Sequence, residues 1–473
     1  MNNSRSTNVA IIGGGYAGMA AAVELVARNI PVTVFESAQQ LGGRARGVSY
    51  NDTQLDNGQH LLLGCYRETL RLIELVGGDI GQDFLTLPLQ LDLHNHFSLR
   101  APRLPAPLHL LIALMSAQGL SWGERIKAAR FMLTLRNANF RLDRLPSLAG
   151  GITSDLAGVV GQPSRMASSS IRGARGEGSS DITVSALLAQ HGQDADLTLK
   201  LWEPLCIAAL NTPISKASAQ VLLNVLRDAL NRERADSDML LPRIDFTALF
   251  PQRAANYVEM HGGKVHSSCG VEAIVPKEDG IELVTASGTE TFSHVICAAS
   301  PVVAARLLRP IAALADTVAQ IDSLEQQPIY TLYLQYPAHV TLPHPMLGLH
   351  QRYSQWLFDK GQIAAQHGLL ASVISAEGIH QELSQDELAQ KVIAELREEF
   401  GIAEQPHWLK VIAEKRATFC CSPNLQRPAQ QTALPRLLLA GDYTAGEYPA
   451  TLEGAVMSGI KCTSAILASL YKD

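Results

Sequence analysis

Three glycines, Gly13, Gly15 and Gly18, stand at the spacing that lets a chain turn tightly around a pyrophosphate. The run before them, Asn8-Val9-Ala10-Ile11-Ile12, is short and apolar, like a strand buried on both faces. An alanine-rich helical stretch follows from Tyr16 to about Arg28, and Val32-Thr33-Val34-Phe35-Glu36 completes a strand–helix–strand unit of ~30 residues. Gly13 permits the turn, Gly15 lets backbone approach the phosphates, and Gly18 lets helix and strand pack closely. The helix N-terminus offers unpaired N–H groups to the anion. Glu36 ends the second strand, where a carboxylate accepts hydrogen bonds from ribose hydroxyls. The candidate cofactor contacts of this unit are Gly13, Gly15, Ala17, Gly18 and Glu36.

Two more segments point to FAD in preference to NAD. In Leu41-Gly42-Gly43-Arg44, the arginine can give a charge-assisted hydrogen bond to pyrophosphate. Near the other end, Leu439-Ala440-Gly441-Asp442 ends a strand with a carboxylate suited to a ribityl hydroxyl. A helix from about Thr451 to Leu470 then aims its N-terminus at the place where reduced flavin gathers negative charge. Two helix ends serving one extended ligand suit pyrophosphate at one end and isoalloxazine at the other.

The elements that position these residues are scattered. Arg436–Ala440, Gly263–Val275, Gly280–Val284 and His294–Ala299 all read as strands. The expected fold is α/β (α+β overall): a Rossmann-type FAD-binding domain from residues 1–75, 243–300 and 411–473, interleaved with a substrate domain from 76–242 and 301–410. At 473 residues two domains are the natural expectation. Residues 146–180, rich in Gly and Ser, read as a flexible insertion with no chemistry. A net charge of −6 argues against nucleic acid as a partner. Seven cysteines without a CxxC pair suggest free thiols, and no metal site is expected. The apolar N-terminal stretch carries Gly13-Gly14-Gly15 and Glu24, so it reads as mature chain of a cytoplasmic protein, and no segment reads as a membrane span.

Longer segments carry a resemblance. Leu55-Asp56-Asn57-Gly58-Gln59-His60, Leu201-Trp202-Glu203-Pro204-Leu205-Cys206, Asn211-Thr212-Pro213, Leu240-Leu241-Pro242-Arg243, Ala440-Gly441-Asp442-Tyr443-Thr444 and Tyr448 to Ala455 together resemble flavoproteins of the amine oxidase and carotenoid desaturase superfamily. More narrowly, they resemble the squalene-associated FAD-dependent desaturases, the hydroxysqualene dehydroxylases of bacterial hopanoid synthesis. The resemblance implies that Gly43 and Arg44 contact the pyrophosphate and that Gly58 and Gln59 pass near the flavin ring, while Gly441 and Asp442 at the strand end are read as cofactor contacts from their own chemistry. It also implies that Val271 offers backbone to adenine and that Thr451 and Leu452 sit at the pyrimidine end. Amine oxidases often carry an aromatic residue where this chain has Thr451, a departure that argues against an amine substrate.

The implied substrate is a long isoprenoid alcohol whose hydroxyl is replaced by hydrogen, with hydride from reduced FAD. Such chemistry needs a proton donor and a dry apolar channel. His60, in a titration range suited to acid catalysis, is the first candidate donor, with Tyr448 and Glu447 as alternatives. Each of the three has a structural alternative as a hydrogen-bonded, packing or capping residue, and Trp202 reads better as core than as channel lining. A carotenoid (phytoene-type) desaturase and a non-catalytic isoprenoid carrier are the competing readings. No residue pattern identifies the electron donor.

A lipid substrate implies access to a membrane. Residues 100–144 hold eight Lys or Arg against Glu124 and Asp143. Lys127, Arg130, Thr134, Asn137 and Arg141 recur as one helix face, Ile126, Ala129, Leu133 and Phe140 as another, and Leu108–Met115 precedes them as an apolar run. This pattern suits peripheral binding on the inner face of the cytoplasmic membrane, or a solvated helix packed on the substrate domain.

Overall fold

The computed structural model describes residues 7–146 and 181–470; most of the Gly/Ser-rich segment 146–180 lies outside them. Val9–Ile12 is the centre of a parallel five-stranded sheet. Val32–Phe35 and then Lys264–His266 lie on one side of it, His294–Cys297 and then Leu437–Leu439 on the other. Short aliphatic strands fit here because both faces of the sheet are covered: the helices Tyr16–Val26 and Leu452–Leu470 lie on one, and Leu283 and Phe292 of a small antiparallel sheet pack with Ile12, Phe35 and Val295 on the other. The Tyr16–Val26 helix is buried along its whole length. Its alanines let the final helix, Leu452–Leu470, approach so closely that a Cβ at Gly459 would lie 2.2 Å from the Ala17 carbonyl oxygen. Glu24, the lone acid in that helix, is ion-paired with Arg28 and Arg71.

The run expected as one strand over Gly263–Val275 is two. Lys264–His266 joins the parallel sheet, and Val271–Lys277 pairs antiparallel with Gly280–Thr285 in a separate three-stranded sheet. Between them Ser268 takes a left-handed conformation at φ 53°, and its N–H and that of Cys269 donate to the carbonyls of Ala38 and Glu36. Those bonds fix the turn beside the end of the second strand.

A mixed seven-stranded sheet forms the other half, in the order Trp408–Phe419, Gln326–Gln335, Leu369–Ser375, Trp356–Asp359, Met346–Gly348, Gln90–Leu93, Phe97–Arg100. The strand Trp408–Phe419 runs across the boundary expected at 411 and belongs entirely to this sheet. One face packs on the Gln385–Phe400 helix; the other meets a helical layer that includes Leu108–Ser116, Trp122–Asn137 and Ala219–Leu230. The loop Asp56–His60 rests on the Gln326–Gln335 strand: Tyr333 Oη donates to the Asp56 carbonyl at 3.1 Å, and Gln59 N donates to Thr331 Oγ1 at 3.4 Å. Long-range bonds of this kind set that loop between the two sheets.

Candidate active site

A cavity of about 830 Å³ runs from the glycine turn into the helical layer, within the ~300–1,000 Å³ range of ligand sites. At its polar end the three glycines have different jobs. Gly13 has φ +110°, and a Cβ there would meet the Ala298 carbonyl oxygen at 2.7 Å. A Cβ at Gly18 would lie 2.0 Å from the Gly13 oxygen, and Gly18 is not on the cavity surface, so its role is packing. Gly15 lines the cavity, and a Cβ there would find no atom closer than 3.8 Å; the space it leaves open belongs to a ligand. No side chain caps the helix that starts at Tyr16, so its first N–H groups stay available to an anion. Ala17 lies beside them on the wall. A pyrophosphate fits this cradle in shape and in charge.

Glu36 Oε2 accepts from Gly14 N at 2.7 Å and Oε1 from Ala38 N at 2.7 Å, so the acid braces the glycine turn while it faces the cavity. Arg44 and Asp442, 398 residues apart in sequence, form an ion pair on the cavity wall, and Arg44 also donates to the Ala417 carbonyl. Gly43, Gly58, Gln59, Val271 and Gly441 line the same cavity. So do Thr451 and Leu452, where Thr451 Oγ1 accepts from Gly454 N at 3.1 Å and caps the final helix.

Glu453, buried in that helix's first turn, accepts from Glu68 N, Thr69 N and Thr69 Oγ1 at 2.7–3.0 Å. It ties the final helix to the N-terminus of Arg67–Leu75. Glu453→Gln turns an amide N–H₂ toward these donors, and we expect a loss of about 2 kcal/mol in urea unfolding. An unchanged midpoint would mean the carboxylate is not needed there.

The three proton-donor candidates separate. His60 is on the wall, edge-on to Phe246 with ring centroids 5.2 Å apart. Desolvation, with the nearby Arg44 charge, pushes it down to about 4, so near neutrality it is an uncharged imidazole. The expected match between its titration range and acid catalysis fails for that reason. Glu447 is corrected outright as a catalytic candidate. Its side chain is 67% exposed, holds Arg227 at 2.9 Å, and does not line the cavity. Tyr448 does line it beside Asp228, and burial, reinforced by that neighbouring carboxylate, holds its phenol in the protonated form.

Sequence reasoning missed Asp228, Cys65 and Tyr66, which share that stretch of wall. It also missed a buried charge behind the loop, Lys360, whose Nζ donates to Gln59 Oε1 at 3.4 Å. Burial lowers the Lys360 pKa and lifts Asp56, which accepts from Phe246 N, to about 7. No local pattern announces these residues, because their partners come from distant elements. Trp202 is both core and wall: it is 2% exposed, donates from Nε1 to Gln193 Oε1 at 2.9 Å, and borders the cavity. Beyond it the cavity is apolar, with Leu110, Leu114, Met132, Leu226, Met346 and Phe358 among its residues.

A dinucleotide cradle joined to an apolar chamber through one wall of polar groups defines a flavin-dependent oxidoreductase. The family of flavin containing amine oxidoreductases matches residues 16–467, and the chain belongs to it. Hydroxysqualene dehydroxylase of Rhodopseudomonas palustris is 26% identical over 98% of this chain and 99% of its own. Zeta-carotene desaturase of Synechocystis is 24% identical over 98% of this chain and 97% of its own. Among solved structures, a putative protoporphyrinogen oxidase from Exiguobacterium superposes with a TM-score of 0.68 at 17% identity, covering 98% of this chain and 99% of that one, a likeness of fold. FAD is the cofactor.

Proposed function

We propose that this chain converts hydroxysqualene to squalene, replacing the hydroxyl with hydrogen. The observation that carries the reading is the apolar chamber that continues from the flavin-site residues and meets only a small polar cluster on its way. Reduced FAD supplies the hydride; the hydroxyl departs with a proton as water, so one hydride and one proton are consumed per alcohol. The apolar walls exclude water from the allylic cation left behind. Tyr448, kept protonated by burial and by the neighbouring Asp228, orients the departing hydroxyl, and Gln59 and His60 border the reacting end. Thr451 leaves out the aromatic group expected of an amine oxidase, and the Rhodopseudomonas relative bears the name of this reaction.

A substrate of this kind lives in a bilayer, so the working position is on the inner surface of the cytoplasmic membrane. In the described residues no helix is long and apolar enough to cross one.

The test is mass spectrometry of lipids extracted after photoreduced enzyme is incubated anaerobically with hydroxysqualene. Squalene should accumulate as the flavin regains its colour; unchanged alcohol overturns the proposal. Zeta-carotene desaturases are also relatives, so oxidised enzyme should be given phytoene in parallel. Bleaching there would assign the opposite direction of electron flow.

A further inference from the structure

Six of the eleven exposed large apolar side chains among the described residues lie on two consecutive helices, Leu108–Ser116 and Trp122–Asn137. The shorter helix exposes Leu108, Leu111 and Ile112 on one face; the longer exposes Trp122, Ile126 and Leu133. At 100° per residue, these last three fall within about 40° of one another around the axis. They are not misplaced core residues. The opposite face of the longer helix already buries Ala128, Phe131, Met132 and Leu135, so the fold's demand is met without them.

Arg125 locks the two helices side by side. Its guanidinium lies over the Trp122 ring, 4.9 Å from the centroid, and it donates to the carbonyls of Met115 and Leu120 at 3.1 Å. The end of one apolar face thereby stands beside the start of the other. Cations border the ridge. Arg103, Arg130 and Arg136 are exposed and form no salt bridge among the described residues. Lys127 is held by Asp194 at 2.6 Å. Arg141, expected on the same helix face, lies past the helix end and pairs with Asp143. The inner sides of the same helices supply Leu110, Leu114 and Met132 to the cavity wall.

We propose that the outer face of these two helices docks on a bilayer bearing anionic lipids, and that the wall they form is where an apolar substrate passes from bilayer to cavity. The passage rests on the proposed function; the docking does not. A second copy of the chain is a poorer occupant. A two-fold contact would set the same arginines against each other, in a segment with eight cations and two anions. Anionic headgroups neutralise such a border while the ridge enters the acyl boundary.

Co-sedimentation with phosphatidylcholine vesicles, with and without phosphatidylglycerol, tests docking without any turnover. Binding should require the anionic lipid and weaken with salt, and lipids brominated on the acyl chain should quench a fluorescence component that Trp122→Phe removes. The combined variant Trp122→Glu, Ile126→Glu, Leu133→Glu should lower partition on the order of a hundredfold. Because it changes exposed side chains only, it should keep its flavin spectrum and its turnover of detergent-dispersed substrate. No binding to either vesicle, undiminished binding of the triple variant, or a dimer that the triple variant dissociates in place of vesicle binding would each overturn the proposal. Vesicle binding without squalene formation would instead fault the substrate assignment alone.

Discussion

Gly15→Val should purify folded and colourless, whereas Gly18→Ala should fail to fold stably. The two glycines stand three residues apart in one motif, and the difference lies in what a side chain would meet. At Gly15 the backbone is extended, with φ −80° and ψ −178°, a conformation valine adopts without strain. Its nearest neighbours to a new Cβ are Gly43 Cα at 3.8 Å and the Gly42 oxygen at 3.9 Å. A Cβ there meets the protein only at ordinary contact distance, so the cost falls chiefly on the ligand, whose pyrophosphate loses its approach to the backbone. At Gly18 a Cβ would stand 2.0 Å from the Gly13 carbonyl oxygen and 3.1 Å from Ile11 Cγ2. Helix and strand must then separate in the most deeply buried layer of the parallel sheet, at a cost of about 3 kcal/mol or more. Visible absorbance after purification with excess FAD, read beside thermal unfolding by circular dichroism, separates the cases. A fully yellow Gly15→Val protein would remove Gly15 from the cofactor cradle; a Gly18→Ala protein with unchanged melting would refute the packing role.

The same contrast explains how much of the molecule was legible in its sequence. Gly13 to Glu36 could be read because phosphate binding by a strand–turn–helix is a local device whose parts are contiguous. The final helix was legible for the same reason, since its Thr451 cap and apolar run are neighbours. The Arg44–Asp442 pair was not: each residue could be matched to a ligand, but nothing local says that they meet across 398 positions. Asp228 sits next to Arg227 and reads as half of a surface ion pair, while in the fold it also turns to Tyr448 and the cavity.

The helix Trp122–Asn137 misled in another way. Its apolar positions fall on one stripe in the sequence, but Ala129 is buried while Ile126 and Leu133 face outward, and Phe140, also buried, falls beyond the helix end. A helix apolar on two opposite faces has no single periodic signature.

His60 carries the other large expectation, and its sign follows from the direction of its shift. The ring titrates at about 4 in the folded chain, against an ordinary value of 6.5. Desolvation on the cavity wall is the main cause, with Arg44 adding repulsion. A histidine depressed on folding contributes stability that is present above 6.5 and drains away as pH falls from there through 4. The drop corresponds to roughly 3 kcal/mol, an upper figure because the ring is only half-buried. His60→Gln removes the titration while keeping a polar group of similar size. Its stability near neutrality should change little, and urea unfolding at about pH 4 should find it more resistant than the wild-type chain by about that amount. Parallel pH dependences of the two proteins would show that the ring is not desolvated. The same variant decides the chemical role. An imidazole that is neutral throughout the range around 6.5 cannot give turnover an acid limb there, so the pH profiles of the two enzymes should share their shape. A limb near 6.5 that disappears with His60→Gln would return the proton to His60.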